Sequence, residues 1–127
     1  MVKKRILVID DEKGFTAMLK LNLESTGRYD VLVENNPFHA VSAALNFMPH
    51  LILLDIIMPN MEGPDVAISL KENPFLKDIP VVFLTATVRK NEIEEYGGRI
   101  GGHYFVAKPS SLKEIMSSIE EGLSALN

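Results

Sequence analysis

Apolar residues fall along the chain in two alternating patterns. Short unbroken runs occupy residues 5–9 (Arg-Ile-Leu-Val-Ile), 51–54 (Leu-Ile-Leu-Leu), 80–85 (Pro-Val-Val-Phe-Leu-Thr) and 104–107 (Tyr-Phe-Val-Ala), while residues 29–34 alternate. Runs of this length, rich in branched side chains, predict strands buried on both faces. Between them the apolar period lengthens. Phe15, Met18, Leu19 and Leu23 mark an amphipathic helix that Gly27 ends. Asn35-Asn36-Pro37 opens a second helix with an Asn cap and Pro in the first turn, and its stripe is Phe38, Val41, Leu45 and Met48 before Pro49. Gly63-Pro64-Asp65 starts a third helix, which runs to about Asn73. Residues 88–96 predict a polar helix with only Val88, Ile93 and Tyr96 on its apolar side. The clearest helix covers residues 110–126, with Leu112, Ile115, Met116, Ile119, Leu123 and Leu126 in one stripe.

Strict alternation of strand and helix predicts an α/β fold: a five-stranded parallel sheet with helices on both faces, three layers in all. Five strands fit the flavodoxin-like order 2-1-3-4-5, which puts strands 1, 3 and 4 in the centre. A chain of 127 residues with 46% hydrophobic and 24% charged residues suits one globular domain. No apolar run approaches the ~20 residues of a membrane span, and the run after Lys3-Lys4-Arg5 is too short for a signal peptide. With no Cys there is neither a disulfide framework nor a thiolate metal site, and the expected location is cytoplasmic. A net charge of -4 argues against direct nucleic-acid binding.

The chemistry gathers at the strand ends. Strand 1 delivers Asp10 and Asp11, strand 3 Asp55, strand 4 Thr85 and strand 5 Lys108. In open α/β sheets that edge is where ligands bind. Each residue alone has a plainer reading: acids favour helix N-termini, a strand-end Thr caps its own backbone, and a Lys before Pro is a solvated charge. Together they are more than packing requires. Three acids on one rim repel, and a hard cation such as Mg²⁺, which is usually held by one or two carboxylates plus a phosphate, removes the conflict. His39, His50 and His103 have no ligand spacing and read as surface or capping residues. Lys3-Lys4-Arg5 reads as the solvated start of a strand.

Asp10-Asp11, Asp55 with Met58-Pro59, Gly63, Thr85-Ala86 and Lys108-Pro109 resemble, in order and spacing, the receiver domain of two-component response regulators. The resemblance covers essentially the whole chain, residues 1–127, with no output domain. It implies that Asp55 accepts a phosphoryl group from a histidine kinase or a histidine phosphotransfer protein, and that the domain catalyses only its own phosphorylation and dephosphorylation. Asp11, Asp55 and the backbone carbonyl of Ile57 would ligate Mg²⁺, with Asp10 acting through water. Thr85 would bond the phosphoryl group and Lys108 would pair with it. A downstream protein target or an output domain would read the change.

Two features depart from the family pattern. Phe105 stands at the aromatic switch position without a hydroxyl, and Gly97-Gly98-Arg99-Ile100-Gly101-Gly102 replaces a more usual Gly-Ala turn. Two rival readings carry less of the sequence. A pseudo-receiver, the same fold used only for protein binding, predicts a broken pocket, yet no pocket residue is missing. A phosphatase of the haloacid dehalogenase type wants Asp-x-Asp-x-Thr, which neither Asp10 nor Asp55 begins.

Overall fold

The computed structural model describes residues 2–56, 58, 63–85, 99–100, 103–107 and 111–124. The strands are β1 (Lys4–Ile9), β2 (Tyr29–Glu34), β3 (Leu51–Asp55), β4 (Val81–Thr85), β5 (Arg99–Ile100) and β6 (His103–Ala107). The helices are α1 (Lys13–Ser25), α2 (Ala40–Phe47), α3 (Gly63–Glu72) and α4 (Leu112–Ser124), with a 3-10 turn at Pro37–His39 before α2. The sheet order is β2-β1-β3-β4-β6-β5. Its five long strands are parallel and stand in the expected 2-1-3-4-5 order. The two-residue β5, which falls within the expected glycine-rich turn, adds an antiparallel edge to β6. The helix expected over 88–96 lies outside the described residues.

Strand alternation divides the core in two. Ile6, Val8, Leu51, Leu53, Val82, Leu84 and Val106 face α1 and α4, while Leu7, Ile9, Ile52, Leu54, Val81 and Phe83 face α2 and α3. Burial on both sides is why these strands read as continuous apolar runs.

The helix faces differ from the sequence reading in two places. On α2, Ala40 and Ala44 are buried and Val41 packs partly buried against the core, whereas Leu45, and Phe38 and Met48 flanking the helix, are exposed. Small residues at the fully buried positions let the helix axis come close to the sheet. On α1, Thr16 is buried and Met18 is exposed. The hydroxyl of Thr16 can enter because it donates to the Lys13 carbonyl at 3.2 Å. On α4, Ile115 and Ile119 are buried as expected, and Gly122 lies beneath Leu51 and Val82. A Cβ at Gly122 would stand 2.7 Å from Leu51 Cδ1.

The outer edge of β2 is plugged by α1. Lys20 Nζ donates to the Val31 carbonyl at 2.6 Å, and the Val31 amide donates to Glu24 Oε2 at 3.0 Å. The bond from Val31 holds the Glu24 carboxyl below its ordinary range, against an opposing effect of burial. The i,i+4 pair thus takes the place of a neighbouring strand at the middle of an edge.

Lys3 and Lys4 are exposed as expected, whereas Arg5, half-buried, also has backbone partners. Its guanidinium donates to the Met48 carbonyl from Nε at 3.0 Å and from Nη2 at 2.8 Å, and to the Phe47 carbonyl at 3.1 Å. It therefore satisfies the C-terminus of α2, where Met48 turns left-handed at φ 48°. His50 completes this corner: its amide donates to the Arg5 carbonyl at 2.8 Å, and its Nδ1 accepts from the Arg5 amide at 2.9 Å. Only an unprotonated Nδ1 can accept that bond. Burial, then Arg5 and Lys4, lower the His50 pKa below its ordinary 6.5. Because the folded value is the depressed one, the contribution is full above the unfolded pKa and is lost as pH falls through the folded value. Urea unfolding should show stability falling as pH drops below about 6.5. A His50→Asn variant, which keeps an acceptor but does not titrate, should lose less over the same range. Equal losses in the two proteins would exclude His50 as the source.

Candidate functional site

Asp55 is the last residue of β3 and is 5% exposed. Asp10 follows β1 and is fully buried. In the β1–β3 register Ile9 stands opposite Leu54, so the next residue of each chain segment brings Asp10 beside Asp55. Both continue the side-chain rows that face α1 and α4. Asp11, half-buried, completes a group of three: one carboxylate oxygen from each of Asp10, Asp11 and Asp55 lies within 4.8 Å of the others. The turn that presents them is closed by Asp10 Oδ1, which accepts from the Glu12 amide at 2.9 Å.

Such a cluster concentrates negative charge where solvent is largely excluded, so it calls for a cation. The donors are all hard carboxylate oxygens, and they fit Mg²⁺ or Ca²⁺ rather than a soft metal. Asp10, Asp11 and Asp55 are the residues that could hold one. Ile57, whose carbonyl was expected to join them, and Lys108 lie outside the described residues.

Thr85 ends β4 and is 1% exposed. In the β3–β4 register Asp55 stands opposite Leu84, and Thr85 follows directly on the strand adjoining Asp55. The Ile56 amide donates to the Leu84 carbonyl at 3.1 Å, which carries the pairing of the two strands one residue past Asp55. Thr85 is paired in register with Ala107 of β6. Phe105, two residues earlier, stacks on Phe83 with ring centroids 5.3 Å apart. It lines an apolar cleft of about 490 Å³ with Ile56, Pro64, Ala67, Ile68 and Lys71. The Lys71 amine is turned away from the acids, donating at 3.1 Å to the carbonyls of Lys77 and Ile79, and burial lowers its pKa.

Gly63 begins α3 directly against the end of β3. Its amide donates to the Ile56 carbonyl at 2.6 Å. A Cβ there would collide with the Asp55 carbonyl oxygen and stand 2.8 Å from Ile56 Cα. The glycine is required by backbone approach beside the acidic residue.

The Asn35-Asn36 pair that opens the second helix supplies the one expected cap, and its two members have separate tasks. Asn36 is the cap, its Oδ1 accepting from the Phe38 amide at 3.0 Å. Asn35 turns inward to the acidic turn, and no sequence signal distinguishes it from its neighbour.

The model of the response regulator receiver domain family matches residues 6–120. The chain is 34% identical over 121 residues to the phosphate regulon transcriptional regulatory protein PhoB of Pseudomonas aeruginosa, covering 94% of this chain and 52% of that protein. The chain thus spans about half the length of this curated relative. Among solved structures, the signal receiver domain of a signal transduction histidine kinase from Syntrophus aciditrophicus is similar, with a TM-score of 0.77 and 30% identity over 96% of this chain and 91% of that one. The receiver domain of a sensor histidine kinase from Pseudomonas aeruginosa, solved with magnesium coordinated in its active-site cleft, shares the fold at a TM-score of 0.79 and 20% identity. It covers 97% of this chain and 99% of that one. Among the described residues no helix is long and apolar enough to cross a membrane.

Proposed function

The chain belongs to the response regulator receiver domain family, and on that premise we propose that it is a phospho-accepting switch with Asp55 as the acceptor. The observation that carries this is the buried Asp55 at the end of β3, with the Asp10 and Asp11 carboxylates within 4.8 Å of it. A carboxylate oxygen of Asp55 attacks the phosphorus of a phosphohistidine on a kinase or phosphotransfer protein. The O–P bond forms as the N–P bond breaks, and the imidazole leaves with the electron pair and takes up a proton.

Such transfer depends on positioning and on neutralising charge at the equatorial oxygens. Asp11, Asp55 and the Ile57 carbonyl, with Asp10 acting through water, would hold Mg²⁺, which when bound offsets the charge of acceptor and phosphoryl group. Lys108 pairs with the phosphoryl oxygens. The hydroxyl of Thr85 donates to them and draws the end of β4 inward. Phe105 shares the strand neighbourhood of Thr85, and the stacked Phe83–Phe105 pair is the packing that this movement disturbs. The altered face is read by a downstream protein or an output domain.

Intact mass after incubation with acetyl phosphate tests the reading. One phosphate per chain is expected with Mg²⁺ and none after chelation. Phosphate uptake that ignores chelation would overturn the metal assignment, and no uptake in either condition would overturn the switch.

A further inference from the structure

We propose that Asn35 is a positioning residue for the acidic cluster, acting through the peptide that joins Asp10 to Asp11. The inference rests on the metal-binding part of the proposed function. Asn35 follows β2, and its Nδ2 donates to the Asp10 carbonyl at 2.7 Å and to Thr16 Oγ1 at 3.0 Å. On the other side of the same residue, the Asp10 amide donates to the Glu34 carbonyl at 3.2 Å. The end of β2 therefore holds Asp10 by both of its backbone polar groups.

The Asp10 carbonyl belongs to the peptide plane that leads into Asp11, so holding that plane holds the Asp11 nitrogen and Cα from which its carboxylate is presented. Thr16 sets the orientation of the Asn35 amide. Its hydroxyl hydrogen is committed to the Lys13 carbonyl at 3.2 Å, leaving only a lone pair for Asn35. An amide turned the other way would face two acceptors with an oxygen. The site thus receives two donors and no charge, which suits a residue beside three carboxylates. Asp at this position would add a fourth acid and lose both donors.

Removing a group that orients a metal ligand typically costs about tenfold or more in affinity. In Asn35→Ala the Asp10–Asp11 peptide loses its restraint, and Mg²⁺ affinity measured by calorimetric titration should fall about tenfold. Exchange of the Asp10 amide should quicken in the same variant, without metal present. Ile119→Val, a core change in α4 far from the turn, is the control for lost stability: it should lower the melting temperature and leave Mg²⁺ affinity as in the parent. Titrations are made well below the melting temperature of each protein. A change under twofold in Asn35→Ala, with a parent that binds, would overturn the positioning role alone. A parent with no Mg²⁺ response would overturn the metal reading and this inference with it.

Discussion

Asp55→Asn should take up no phosphate and, in metal-free buffer, should be more stable than the parent chain. The first effect removes the nucleophile. The second follows from the charge cluster, in which three carboxylates have oxygens within 4.8 Å of one another and two of them are almost fully buried. At about 5 Å and an effective dielectric near 20, each like-charge pair costs roughly 3 kcal/mol at most. Asp11 is half-exposed and screened, so a net gain of about 1–2 kcal/mol is reasonable for removing one charge. Asn keeps the shape of Asp, which isolates charge from packing. Thermal unfolding should show a rise of several degrees in chelator. Added Mg²⁺ should raise the melting temperature of the parent and have a smaller effect on the variant. A variant no more stable than the parent in chelator would mean that groups of the protein itself, hydrogen-bond donors or the Lys108 amine, already balance the cluster.

Gly63→Ala should destabilise the fold by about 3 kcal/mol or more and impair phosphate uptake at the same time. The added methyl meets the Asp55 carbonyl oxygen, with Ile56 Cα at 2.8 Å and the Asp55 carbonyl carbon at 3.0 Å. These are backbone atoms of a central strand, so no side-chain rotation relieves the contact. Overpacking in a dense core costs typically 1–3 kcal/mol, and a backbone obstacle belongs at the upper end. Relief requires either α3 to withdraw, breaking the 2.6 Å bond from the Gly63 amide to the Ile56 carbonyl, or the end of β3 to shift. A shift of β3 displaces Asp55 from Asp10 and Asp11, and transfer chemistry is sensitive to displacements near 1 Å. Urea unfolding and the acetyl phosphate assay measure the two effects. Full uptake in a protein of unchanged stability would show that α3 has room to move.

The strands and the three acids were legible because each depends on residues close together in the chain. An apolar run buried on both faces looks the same wherever it sits in a parallel sheet, and the polar residue that ends it must lie at the sheet's rim. Asp10, Asp11, Asp55 and Thr85 were placed at strand ends by that logic alone, and β2 was bounded at Tyr29–Glu34 as found.

What the sequence did not reveal are choices made across the fold. For α2, both the Phe38, Val41, Leu45 and Met48 stripe and the Ala40 and Ala44 face satisfy a helical period. The sheet buried the alanines fully, kept Val41 partly buried against the core, and left Phe38, Leu45 and Met48 exposed. Arg5 became a cap for α2 only because β1 begins where that helix ends, 42 residues later in the chain. Tyr29 is buried beneath α4, and its hydroxyl donates to Glu120 Oε1 at 2.6 Å across 91 residues. Gly122 was one more position on a helix until Leu51 and Val82 were set against it. Asn35 and Asn36 are identical side by side, and only the approach of the Asp10 turn separates a positioning contact from a cap. Local period and strand ends determined which residues could meet at the rim. Distance between elements, which no local pattern encodes, decided which helix faces were buried and which polar groups found partners.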